Sequence, residues 1–206
     1  MLEAQRIVYV VDDDPAVRRS LERLLDAADF RAVSFGYPEE FLDAVKSPPP
    51  GCCALVDLRL PGMSGLKVLE LLRRIDARLP VIVMTGHGDV RSAVQAMKTG
   101  AADFIEKPYS DDALITAIDS AVTTGARQGS ADEAAEAASL IGTLSPREKQ
   151  VLYALMAGRA NKAIAFELGI SVRTVEVHRA RMMERLDVRQ LGQAVRLAVL
   201  AQLDKG

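Results

Sequence analysis

The chain has 206 residues, 49% hydrophobic and 26% charged, with a net charge of -2. That is enough for one large domain or two small ones, and the balance is that of a globular protein rather than a disordered or fibrous one. No apolar run approaches a bilayer span and the amino terminus lacks an export pattern, so the expected setting is the cytoplasm, without membrane contact.

The small net charge hides an asymmetry. Residues 141–206 hold 11 Lys+Arg against 6 Asp+Glu, a surplus of +5, which leaves 15 against 22, or -7, for the remainder. A basic carboxy-terminal segment behind an acidic body suggests a nucleic-acid partner. The only cysteines, Cys52 and Cys53, are neighbours in an apolar run where side chains alternate faces. They read as buried packing residues, not as a disulfide or metal site.

From Arg6 onward, apolar runs alternate with amphipathic segments. Ile7 to Val11 precedes Ala16 to Ala28, Ala32 to Phe35 precedes Glu39 to Val45, and Cys52 to Val56 precedes Gly65 to Ile75. Val81 to Met84 then precedes Val90 to Lys98, and Asp103 to Ile105 precedes Asp112 to Val122. Five such units predict an α/β fold with a doubly wound, five-stranded parallel sheet, because right-handed crossovers cover both faces. Asp14 before Pro15 reads as a helix cap, with a side-chain acceptor and a first-turn proline whose missing donor does no harm.

Ligand groups in such sheets gather beyond the carboxyl ends of the strands. Asp57 stands there after the third run, and Asp12 and Asp13 after the first. On local sequence Asp57 could equally be a turn carboxylate ahead of Pro61 and Gly62. In the common strand order, however, strands one and three flank the switch point, and the three carboxylates are expected to converge. Their mutual repulsion calls for a hard cation such as Mg2+. Thr85 after the fourth strand offers a hydroxyl, and Lys107, followed by Pro108, an ammonium after the fifth. Both suit a phosphoryl group on Asp57.

This constellation makes residues 6–122 resemble the receiver domain of two-component response regulators. The runs Met84-Thr85-Gly86-His87-Gly88-Asp89 and Asp103-Phe104-Ile105-Glu106-Lys107-Pro108 are similar to signatures of the FixJ type. The resemblance implies that Asp57 is the phospho-acceptor and that Asp12, Asp13, Asp57 and the backbone carbonyl of Arg59 hold Mg2+. It also implies that Thr85 and Phe104 are the switch pair and that Lys107 senses the phosphate. Tyr109 departs from the phenylalanine common there.

Residues 123–140 shift to Gly, Ser, Ala and acids and read as a linker between domains at 1–122 and 141–206. Its first half is expected to be flexible, and its alanine- and glutamate-rich half either a helix or a tether. Ser145, Pro146 and Glu148 then form a capping box for a helix reaching Ala157. Gly158 stops that helix, Asn161 is expected to cap a second through Leu168, and Gly169-Ile170-Ser171 turns into a third from Val172 to Leu186. Thr174, Val175, His178, Met182 and Leu186 form its inner stripe, and Arg173, Glu176, Val177, Ala180 and Arg181 face outward. That outer face has the shape of a major-groove reader, with Arg173, Arg179, Arg181 and Arg185 near phosphates and His178 a further phosphate contact.

Residues 144–203 resemble the LuxR-type DNA-binding domain, through Leu144-Ser145-Pro146-Arg147-Glu148, Asn161-Lys162-Ala163-Ile164-Ala165 and Thr174-Val175-Glu176-Val177-His178-Arg179. The resemblance implies an all-α, four-helix helix-turn-helix domain in which Lys162, Ser171, Arg173, Thr174, Glu176, Val177, His178, Arg179, Arg181 and Arg185 serve DNA binding. It further implies that Leu191 to Leu200 pairs two subunits. The two resemblances imply a phosphorylation-controlled transcription factor, an activator by its FixJ likeness. Its partners would be a sensor histidine kinase, promoter DNA, RNA polymerase and, once phosphorylated, a second copy meeting through Val90 to Lys98 and Asp103 to Val122. A small-substrate phosphohydrolase would need a second acid where Arg59 stands, so no enzyme activity beyond slow self-dephosphorylation is expected.

Overall fold

A computed structural model describes residues 6–75, 79–86, 90–125, 131–189 and 191–203. Of the linker half expected to be flexible, residues 123–125 continue a helix, and residues 126–130, like His87, Gly88 and Asp89 of the fourth-strand motif, lie outside the described residues. The chain divides into two compact units, residues 1–87 with 99–127 and residues 88–98 with 128–206.

The elements of the first half of the chain are β1 (Ile7–Val11), α1 (Pro15–Ala27), β2 (Arg31–Phe35), α2 (Pro38–Ala44), β3 (Cys53–Asp57), α3 (Gly65–Ile75), β4 (Val81–Thr85), α4 (Val90–Lys98), β5 (Asp103–Glu106) and α5 (Asp111–Gly125). The strands form one parallel sheet in the order β2-β1-β3-β4-β5. Sequence order reverses between β1 and β3, which makes the gap beyond those two strand ends the switch point.

Every residue of β3 and β4 is buried, as expected for central parallel strands covered on both faces, whereas the edge strand β2 is only partly buried. On one face Val8, Val10, Cys53, Leu55, Ile82, Met84 and Ile105 pack with Leu21 and Leu25 of α1 and with Leu114, Ala117 and Ile118 of α5. On the other, Phe41 of α2 lies 6.1 Å from the Tyr9 ring and 5.6 Å from that of Phe35, and α3 packs beside α2. Arg6 ties the start of β1 to α5 through an ion pair with Asp119 and stacks over Phe30, 4.1 Å from its ring centre. Cys52 and Cys53 are buried and form no disulfide, and burial pushes the Cys53 thiol far above its ordinary pKa.

The second half comprises α6 (Ala131–Gly142), α7 (Pro146–Met156), α8 (Asn161–Leu168), α9 (Val172–Arg185) and α10 (Leu191–Leu203). The alanine- and glutamate-rich part of the linker is therefore helical, and α6 packs along α10, with Ala137 and Ile141 on one helix and Ala194, Val195, Ala198 and Ala201 on the other all buried. The capping box at Ser145 and Glu148 forms in full, and Gly169 ends α8 in the left-handed conformation, φ 65°. One cap differs from expectation. Ala160 occupies the N-cap of α8 without a side-chain bond, and Asn161, one residue further in, uses its Oδ1 to accept from Arg179 instead.

Candidate phosphorylation site and DNA-binding helix

Three strand ends meet at one ammonium. Lys107 Nζ donates to Asp57 Oδ1 at 2.6 Å and to Asp12 Oδ2 at 2.9 Å. Both carboxylates are buried, Asp12 with 2% of its surface exposed and Asp57 with 8%. Asp57 is the last residue of β3, and its Oδ2 accepts the Arg59 amide at 2.7 Å. Buried carboxylates are tolerated when paired and hydrogen-bonded, and these are both.

Burial alone would pull the Lys107 pKa down, but the hydrogen bonds and charges of Asp57 and Asp12 outweigh it and hold the pKa above its ordinary value. The lysine is thus a fixed cation under all ordinary conditions. Its amide donates to the Thr85 carbonyl at 2.7 Å, which locks the ends of β4 and β5 together, and the Lys107-Pro108 peptide is cis. Thr85 is buried and its hydroxyl donates to the Gly86 carbonyl at 3.3 Å. Phe104, two residues along β5 from Glu106, is buried as well.

Gly65 is what brings α3 up to Asp57. Its amide donates to the Leu58 carbonyl at 3.1 Å, and a Cβ at this position would come 2.3 Å from the Asp57 carbonyl oxygen. No side chain fits there without shifting the backbone that carries the acid.

Of the three carboxylates expected to converge, Asp12 and Asp57 are brought together on the Lys107 ammonium. Among the described residues no three His, Cys, Asp or Glu side chains lie close enough to hold a metal by themselves. Asp12 and Asp57 meet across Lys107, while Asp13 stands exposed at the next position. Lys107 relieves part of the repulsion between Asp12 and Asp57. The donor chemistry still fits Mg2+, which takes one or two carboxylates and fills its remaining positions with waters and phosphate oxygens. Two carboxylates against one ammonium leave an excess negative charge for it.

In the second half, Ser171 caps α9, its Oγ accepting from the Thr174 amide at 3.1 Å. Val175, Met182 and Leu186 are buried and Thr174 and His178 half-buried, while Arg173, Glu176, Val177, Ala180 and Arg181 are exposed, as the helical spacing predicts. Lys162 on α8 is exposed too. Two of the arginines expected near phosphates have partners within the chain. Arg179 Nη1 donates to Asn161 Oδ1 at 3.1 Å, joining α8 to α9. Arg185 Nη1 donates to the Thr143 carbonyl at 3.2 Å, and its Nε lies 3.5 Å from the buried Glu148 carboxylate.

Sequence reasoning did not find the roles of Gly65, of the Arg59 amide or of the Glu148–Arg185 contact. A glycine at a helix start, where a capping residue is usual, was the one available signal.

Two family models match. Residues 8–119 fit "Response regulator receiver domain" and residues 142–198 fit "Bacterial regulatory proteins, luxR family". The chain therefore belongs to the response regulators that join a receiver to a LuxR-type DNA-binding domain. Among its relatives, the Transcriptional regulatory protein FixJ of Azorhizobium caulinodans is 48% identical over 94% of this chain and 92% of the relative. FixJ of Bradyrhizobium diazoefficiens is 44% identical over 94% and 95%. The Response regulator protein TodT of Pseudomonas putida is 37% identical over 96% and 87%. Among solved structures, full-length FixJ from B. japonicum is 43% identical, covering 97% of this chain and 98% of that one with a TM-score of 0.56. The chain is thus FixJ-like, a regulator of transcription under control by phosphorylation, whose architecture implies a kinase and DNA as partners. Receiver domains generally bind Mg2+ at this acidic pocket. Among the described residues no helix is long and apolar enough to cross a membrane.

Proposed function

We propose that Asp57 accepts a phosphoryl group from a sensor histidine kinase in the cytoplasm and that the added charge governs dimerisation and promoter binding. The observation that carries this reading is the Lys107 ammonium, bonded at once to Asp57 and Asp12. It is a pre-placed counter-charge for a dianionic group. A carboxylate oxygen of Asp57 attacks phosphorus, the bond from phosphorus to the donor histidine breaks, and the imidazole takes up a proton. Asp12, Asp13, Asp57 and the Arg59 carbonyl would hold Mg2+, which neutralises charge on the transferring group.

The product carries about -1.5 to -2 charges where the carboxylate carried one. Lys107 follows the new oxygens, the Thr85 hydroxyl leaves the Gly86 carbonyl for them, and Phe104 repacks into the space that Thr85 vacates. Moving such a switch from almost all off to almost all on takes about 5.5 kcal/mol of differential stabilisation. Val90 to Lys98 and Asp103 to Val122 form the receiver pairing surface. The α9 helix reads the major groove with Arg173, Thr174, Glu176 and Val177, and with Lys162, Ser171, His178, Arg179, Arg181 and Arg185 at or near the backbone. Two such helices about one DNA turn apart favour palindromic half-sites. Activation through RNA polymerase follows from the likeness to FixJ. Loss of the phosphoryl group is slow self-dephosphorylation, with no turnover of other substrates.

Incubation with acetyl phosphate and Mg2+, read by intact mass, tests the acceptor. One phosphoryl group is expected on the wild type and none on Asp57→Asn. Equal labelling of the two proteins would overturn the assignment.

A further inference from the structure

The acids at the end of β1 depend on a side chain that the phosphotransfer chemistry does not use. Arg18, half-buried in the first turn and a half of α1, donates from Nη1 to two successive backbone carbonyls, that of Asp12 at 2.6 Å and that of Asp13 at 3.0 Å. These peptides carry the two acids of the β1–α1 turn. With their oxygens engaged by the guanidinium, what the turn offers a cation is carboxylate.

The same turn is pinned from other sides. The Asp12 amide donates to the Phe35 carbonyl at 3.3 Å, the Asp14 amide to Asp12 Oδ1 at 3.0 Å, and the Ala16 amide to Asp14 Oδ1 at 2.7 Å. The Arg18 guanidinium also lies beside the turn between β2 and α2, where a Cβ on Gly36 would come 3.4 Å from Nη1. Among the described residues its hydrogen bonds thus all go to the β1–α1 turn, and its other side faces the neighbouring turn.

We propose that Arg18 is a positioning residue of the cation site, fixing the peptide planes of Asp12 and Asp13 and so setting Mg2+ affinity without touching the ion. The proposal rests on the receiver reading above. Two effects of the guanidinium oppose each other. Its charge repels a nearby cation, a contribution that solvent and salt screen at a half-exposed site. Its bonds orient the groups that ligate, and losing such support typically weakens metal binding about 10–100-fold. Orientation outweighs repulsion.

Calorimetric titration of Mg2+ into the full-length, metal-free chain separates the two effects. Arg18→Lys keeps the charge but loses the planar fork, and Arg18→Gln loses both. Both variants are expected to bind Mg2+ about tenfold more weakly than wild type. In acetyl phosphate labelling the Mg2+ concentration for half-maximal rate rises by a similar factor while the rate at saturating Mg2+ is unchanged. Thermal melts in EDTA verify the fold, and if Arg18→Gln does not fold, Arg18→Lys carries the test alone. A folded Arg18→Lys with wild-type affinity, or an Arg18→Gln that binds more tightly, would overturn the proposal. Those results leave the receiver reading standing. A wild type that binds no Mg2+ would instead remove both.

Discussion

At the scale of single residues, the site is a charge balance that waits to be disturbed. Lys107 holds two buried carboxylates, so its removal leaves them facing each other without a counter-charge. Lys107→Gln is expected to cost about 1–3 kcal/mol of stability at neutral pH, the usual cost of stranding a buried hydrogen-bonded group. Urea unfolding measures it, and Mg2+ should return part of the loss. The pH dependence follows from the sign of the shift. A raised lysine pKa means the folded state holds its proton more tightly than the unfolded chain does. The contribution is fully present below the unfolded value of about 10.4 and is lost as pH climbs through the higher folded one. Melts above that range should therefore lose stability in the wild type and less in Lys107→Gln. Asp57, Asp12, Thr85 and Lys107 were legible from residue type at strand ends. The sharing of one ammonium between two acids was not, because strand order says which ends meet but not which side chains pair.

At the scale of elements, two contacts between a helix and its neighbour decide how each functional group is presented. Gly65 lets α3 start directly against the end of β3. Gly65→Ala puts a methyl into the space of the Asp57 carbonyl and is expected to destabilise the fold by about 1–3 kcal/mol, as overpacking usually does. A variant with wild-type denaturant midpoint would show that the turn can give way. In the helical half, buried Glu148 closes the α7 cap and faces Arg185 at the end of α9. Burial raises its pKa, but the bonds from Ser145 and the positive charges of Arg185 and His178 outweigh it and leave the pKa below the ordinary carboxylate range. Because the folded pKa is depressed, this stability is present above about pH 4.3 and is lost as pH falls through the folded value. Glu148→Gln should flatten the acid limb of unfolding of that half, followed by circular dichroism, and an unchanged limb would remove Glu148 from the account of its acid sensitivity.

Helix and strand periods gave these elements within a residue or two at most ends. What they missed was long-range. The α9 stripe follows from spacing alone. That Asn161 reaches Arg179 in place of capping α8, and that Arg185 turns inward to Thr143 and Glu148, depends on how helices distant in sequence are brought side by side. The linker helix was ambiguous for the same reason. Alanine and glutamate favour a helix weakly, and its burial against α10 supplies what propensity does not.

At the scale of the whole molecule, a receiver and a DNA reader in one chain make sense only if charge at the first alters binding by the second. The helix α10, which the LuxR likeness assigns to subunit pairing, packs along α6 within the single chain. On the proposed function the effect on affinity runs through dimer formation, and binding to a two-half-site promoter should rise more steeply with protein concentration than binding to one half-site. Quantitative footprinting across such a promoter, with and without acetyl phosphate and at one fixed salt concentration, tests the coupling most directly. Phosphorylation should tighten binding of the wild type at least tenfold, on the order of 1.4 kcal/mol, and leave Asp57→Asn unaffected. Equal affinity of the phosphorylated and unphosphorylated wild type would contradict the coupling of Asp57 to DNA.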